Sequence, residues 1–125
     1  MKVMDSKITK ILLMNIPGAA LPSDYPPVAI SRVIEGIYPS LNCDASFYNL
    51  DYYRPDFNEI KNRILSCNPK IIGFSAILTP YYAYLKSLSN FIGEKFPDII
   101  QVLGGQMAVI SNMILLKTKV DFWIA

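Results

Sequence analysis

The sequence contains no histidine. A Ser-His-Asp or Cys-His nucleophile therefore has no base, and a zinc site built on imidazole is excluded. Cysteine is nearly as scarce. Cys43 and Cys67 are the whole complement, without the C-x-x-C spacing of a metal ribbon or redox pair and without the triplet an iron-sulfur cluster needs. Both read as buried free thiols in a reducing cytoplasm. Charge is thin as well: 18% of residues are charged, and 12 Lys and Arg against 10 Asp and Glu leave a formal charge of +2. The basic residues are scattered, which lacks the cationic stripe of a nucleic-acid interface, so no nucleic-acid partner is expected.

No apolar run approaches the roughly 20 residues of a membrane span, and no membrane partner is expected either. The opening "KITKILLMNIPGAALPS" has the basic flank and apolar stretch of an export signal. Asn15 and Pro17 interrupt it, and the residues after them read as the helix of a strand-helix unit, so the expected location is cytoplasmic. The nucleotide motifs are missing too. After the first apolar run only Gly18 is available, where a dinucleotide fingerprint needs G-x-G-x-x-G, and no G-K-[ST] occurs anywhere. The loop "NIPGAALP" has none of the hydroxyls that cradle a flavin phosphate. A phosphoacceptor domain would carry acids where this chain has Asn15 and Ser75.

What is present is apolar and periodic. Hydrophobic residues make up 52% of the 125, an excess that suits strands buried on both faces of a sheet. Short apolar runs, "KILLMNI" (10–16), "DASFYNL" (44–50), "KIIGFSA" (70–76), "DIIQVLGG" (98–105) and "VDFWIA" (120–125), read as five strands. Between them lie helical patterns. One starts near Val28 and stops at Pro39. The second begins at Asp56, whose carboxylate can cap it with Glu59 completing a capping box, and carries Phe57, Ile60, Ile64 and Leu65 on one side. The third starts at Pro80 with Tyr81, Tyr84, Leu85, Leu88 and Ile92 in a stripe, and a fourth spans about 106–117. "DYYRP" (51–55) reads as loop.

Strands alternating with crossovers of this size make parallel pairs joined right-handedly. The expected fold is therefore α/β: a three-layer, doubly wound parallel sheet, Rossmann-like or flavodoxin-like, with strand order 2-1-3-4-5. We expect one domain, residues 1–125, whose last helix is missing; a sheet face left partly bare suggests the front part of a longer chain and possible self-association. In such sheets ligands bind beyond the carboxyl ends of the strands, here at "NIPGAALPSDYPP", "SAILTP" and "LGGQM". That rim is small, hydroxyl-bearing and uncharged, which fits a bulky ligand held by shape and a few hydrogen bonds. Each residue also has a structural explanation. Thr79-Pro80 is a good helix start, Ser75 can satisfy loop amides, and Gly104-Gly105 can mark a tight turn.

Taken together, "IIGFSAILTPYYAYL" and "DIIQVLGGQMA" resemble the cobalamin-binding domain, with its serine-x-leucine-x-threonine stretch and later double glycine. With "YPPVAISRVIEGIY" and "VDFWIA" added, residues from about Lys10 to Ala125 are similar to the N-terminal half of cobalamin-binding radical SAM enzymes. The resemblance implies that Ser75, Ile77 (in place of leucine) and Thr79 line the slot for the cofactor's nucleotide tail. It implies that Gly104 and Gly105 clear space for that tail, and that Pro17 and Gly18 lie under the corrin. The better-known form of the domain has an Asp-x-His-x-x-Gly loop whose histidine ligates cobalt; without histidine, this chain would bind cobalamin with no His lower ligand. The implied partner is a C-terminal radical SAM domain of the same chain, holding S-adenosylmethionine and a 4Fe-4S cluster. No acid, base or nucleophile for catalysis is identified here. The alternative is a cofactor-free flavodoxin-like domain that docks on a catalytic partner.

Overall fold

The computed structural model describes residues 8–17, 42–75, 82–104 and 117–124. In chain order these hold β1 (Thr9–Asn15), β2 (Cys43–Tyr48), α1 (Leu50–Tyr53), α2 (Phe57–Cys67), β3 (Ile71–Ser75), α3 (Tyr82–Lys95), β4 (Ile100–Gly104) and β5 (Phe122–Ile124). The strands form one sheet in the order β2-β1-β3-β4-β5, and every neighbouring pair is parallel. This is the doubly wound arrangement expected from the alternation of short apolar runs and helical stripes. The expected helices near 28–39 and 106–117 fall, wholly or almost wholly, outside the described residues.

The register runs straight across the sheet, so side chains sort cleanly by parity. Ser46, Leu12, Ile72 and Gln101 make one row, and Tyr48, Met14, Phe74 and Leu103 the next. Both rows project onto one face. There Ser46 Oγ lies 3.9 Å from Cys67 Sγ of α2, and Ser89 Oγ of α3 donates to Gln101 Oε1 at 2.6 Å. Leu12, Met14, Ile72 and Leu103 are wholly buried against Ile60 of α2 and Leu85, Leu88 and Ile92 of α3, which are equally inaccessible. Each such aliphatic side chain contributes about 1.5–3 kcal/mol by leaving water, and this two-helix layer is the core among the described residues.

Helix α2 starts where Asp56 Oδ1 accepts the Glu59 amide at 2.8 Å, the forward half of the expected capping box. It ends at Asn68, which takes φ 52° so that its amide can reach Ile64 O, with Pro69 blocking continuation. Its inward stripe is Phe57, Ile60, Ile64 and Cys67. Leu65 does not join it. One residue beyond Ile64 is a turn of about 100° around the axis, and Leu65 is left 59% exposed. The second strand also ends earlier than its apolar run, at Tyr48, and Leu50–Tyr53 form a helical turn where a loop was expected. The cysteines are free but only half-buried, since each sits near the rim of the sheet or helix layer.

The third helix is tied to the sheet by a buried polar cluster. Gln101 Nε2 donates to Ser89 O at 3.2 Å, Lys119 N donates to Ser89 Oγ at 3.1 Å, and Asp121 Oδ2 accepts from Gln101 N at 2.9 Å. The cluster sets where the chain enters β5. Beside it Gly93 admits Lys119 so closely that a Cβ there would lie 2.6 Å from Lys119 Cβ and 2.4 Å from its Cγ. Alanine in a helix normally gains about 1 kcal/mol over glycine. Here the near-backbone carbons of Lys119 cannot swing aside, and overpacking of this kind costs about 1–3 kcal/mol. Gly93→Ala is therefore expected to lower stability by about 1 kcal/mol, read as a lower urea midpoint at unchanged slope. A gain in stability would show that the Lys119 segment yields freely.

Candidate functional site

The last register row at the carboxyl ends of the strands is Asn15, Ser75, Gly104 and Ile124. Asn15, Ser75 and Gly104 of this row lie on the sheet face opposite α2 and α3, and they present uncharged or absent side chains. Among the described residues, a Cβ built at Gly104 would meet nothing nearer than Phe74 O at 4.0 Å. Ser75 is half-buried, and its carbonyl accepts the Ile16 amide at 2.9 Å. That bond extends the β1–β3 pairing one step past the strand ends and delivers Pro17, itself buried, to the same rim. Of the residues expected at the site, Pro17, Ser75 and Gly104 are thus brought to one edge. Gly18, Ile77, Thr79 and Gly105 lie outside the described residues.

The β2 end of the rim is built by two asparagines that the sequence reading left unassigned to a site. Asn15 Nδ2 donates to Asn49 Oδ1 at 2.8 Å, and the same Asn49 oxygen accepts the Tyr52 amide at 3.0 Å. Asn49 is thereby the N-cap of α1, a role favoured for asparagine because its side chain replaces the missing helical acceptor. The turn closes at Arg54, which adopts φ 48° and grips Asp51 through Nη2 to Oδ1 at 2.7 Å and Nε to the Asp51 carbonyl at 2.7 Å. The exposed edge-to-face pair Tyr52 and Tyr53, with ring centres 5.0 Å apart, stands on this clamped turn. The signal for the clamp was legible: an asparagine directly before an apolar residue is a common helix start.

Behind the rim two phenols, Tyr84 and Tyr48, are shifted upward. Burial pushes Tyr84 above its ordinary value near 10, with the neighbouring Tyr48 adding to the shift and Arg54 opposing it. Tyr48 is raised by burial first, then by Glu59 and Asp56, against the Arg63 guanidinium that sits 4.8 Å over its ring. Raised phenols are poor bases at neutral pH, so neither serves as a general base. Among the described residues, no group of three or more His, Cys, Asp or Glu stands close enough to hold a metal ion.

One polar atom in this region has no protein partner. Among the described residues, Tyr82 Oη is the buried side-chain oxygen or nitrogen without a hydrogen bond. Tyr82 opens α3 and is partly buried against the core, in line with the buried Leu85, Ser89 and Ile92 of the same helix. A groove of about 520 Å³ also exists, lined by residues such as Leu65, Pro69, Lys95 and Phe96. It lies at the opposite edge, where β3 and β4 begin, and has no connection with the carboxyl-end row.

No protein-family model matches the chain, and no curated protein matches it. Among solved structures, the chain is similar to a cobalamin-binding protein from Desulfitobacterium hafniense DCB-2, with a TM-score of 0.68 and 16% sequence identity. The likeness is one of fold. It covers 95% of this chain and 53% of that protein, so this chain spans about half its length.

Proposed function

We propose that this chain is a cobalamin-binding module that presents a corrin to the catalytic domain of a radical SAM enzyme. The observation that carries the reading is the uncharged carboxyl edge: the row Asn15, Ser75 and Gly104, where among the described residues a Cβ on Gly104 would meet nothing nearer than 4.0 Å. A tetrapyrrole with peripheral amides and an appended nucleotide needs shape and neutral hydrogen-bonding groups rather than countercharges. The orphaned Tyr82 hydroxyl is a further group such a ligand could satisfy. A fold shared with a protein described as cobalamin-binding supports the same choice.

In this reading Pro17 and Gly18 pass beneath the ring, Ser75, Ile77 and Thr79 line the tail slot, and Gly104 and Gly105 keep that slot clear. When bound, cobalamin supplies a cobalt-carbon bond for methyl transfer or a related radical rearrangement. The chain's own residues bind and orient it, and with no histidine present they offer cobalt no imidazole. S-adenosylmethionine and the iron-sulfur cluster belong to the radical SAM domain we assign as partner. The expected setting is cytoplasmic.

Titration of the purified chain with hydroxocobalamin, followed by the visible spectrum, tests the proposal. The expected result is saturable binding at micromolar concentration. Spectra that simply add, up to several hundred micromolar, would overturn it in favour of a cofactor-free docking domain.

A further inference from the structure

The Tyr82 hydroxyl is the most informative loose end in the described structure. A buried hydroxyl without a partner is costly, because it has given up water and received nothing in return. Its position follows from simple geometry. Ser89 of α3 sits level with Gln101 of β4, to which it is hydrogen-bonded. From Ser89 back to Tyr82 the helix travels about 10.5 Å at 1.5 Å per residue. From Gln101 forward to Gly104 the strand travels about 10 Å at 3.3 Å per residue. Tyr82 therefore stands level with Gly104, on the helix side of the sheet. Side chains on a helix lean toward its N-terminus, so the ring extends further in the direction in which the strands end.

We infer that Tyr82 is a ligand-binding residue of the carboxyl edge, its hydroxyl hydrogen-bonding an amide or phosphate oxygen of the bound corrinoid. This rests on the cobalamin reading and adds a residue to it. The ligand would then be gripped from both sides of the sheet edge: by the Ser75–Gly104 row on one face and by Tyr82 from under the first turn of α3 on the other. The tyrosine also explains itself better as a binding group than as packing. The other polar residue of the stripe, Ser89, is hydrogen-bonded to Gln101, whereas the Tyr82 hydroxyl has no such partner, and for packing alone phenylalanine would have served here equally well.

The test is Tyr82→Phe, compared with the wild-type chain in two measurements. Hydroxocobalamin affinity is expected to fall about tenfold, equal to about 1.4 kcal/mol. The melting temperature of the ligand-free variant is expected to stay level or rise by roughly 2–4 °C, because an unsatisfied group has been removed. That pairing supports the inference, since a purely structural hydroxyl would move the second reading downward. Affinity within twofold of wild type overturns the inference while leaving the cobalamin reading intact. A ligand-free melting temperature several degrees lower overturns it as well, by showing that the hydroxyl holds the fold. If the wild-type chain itself takes up no hydroxocobalamin, the cobalamin reading falls and this assignment falls with it.

Discussion

Replacing Gly104 with leucine is expected to weaken hydroxocobalamin binding at least a hundredfold while the domain stays folded. The two halves of that expectation come from the same measurement. Among the described residues, a Cβ at Gly104 would meet its nearest atom, Phe74 O, at 4.0 Å, an ordinary contact. The backbone therefore accepts a side chain, and a glycine at the end of a strand gives little reason for stability to fall. The remaining three carbons of leucine must go somewhere, and the space they enter is the one assigned to the ligand. Forcing extra carbons into an occupied volume costs about 1–3 kcal/mol or more, and a hundredfold loss corresponds to about 2.8 kcal/mol. Gly104→Ala provides the graded intermediate, with a loss of only a few-fold. A leucine variant that binds as tightly as wild type would sink the proposed site.

The second large effect concerns stability. Gln101→Leu makes the chain more hydrophobic, yet it is expected to destabilise the fold by about 2–3 kcal/mol. Gln101 shares its row with Leu12 and Ile72, both fully buried, so an aliphatic residue there looks harmless. The difference lies in α3. Leucine removes the acceptor for Ser89 Oγ and the donor to Ser89 O, and a buried group stripped of its partner costs about 1–3 kcal/mol. Ile72→Val in the same row should cost about 1 kcal/mol, the ordinary effect of one methyl group. Urea unfolding of both variants checks the contrast. Equal losses would mean that the polar cluster adds nothing beyond packing.

The clamp at Asn49 shows why parts of the site were hard to see in the sequence. Asn49 as a helix cap has a local signature, but its bond to Asn15 joins residues 34 apart. Only the pairing of β1 with β2 brings them together. The same is true of the register row: Asn15, Ser75 and Gly104 are adjacent because three strands happen to end level. Leu65 failed for a simpler reason. Helical spacing tolerates a position one step off the stripe when read along the chain, whereas in three dimensions that step turns the side chain into water.

Alone, the sequence determined the architecture of this protein: five short apolar runs alternating with helical stripes admit one economical solution, a parallel sheet with strand order 2-1-3-4-5. It also determined the chemistry that is closed to the chain, since no fold can supply a histidine or a cysteine triplet. Which residues meet was decided only by the tertiary structure. The tie of Asn15 to Asn49, the polar lock between Ser89 and Gln101, the approach of Gly104 to Phe74 and the unpartnered oxygen of Tyr82 are relations between separate elements. Local pattern reports the periodicity within an element; the register between elements is set by packing, and the candidate site is made of register.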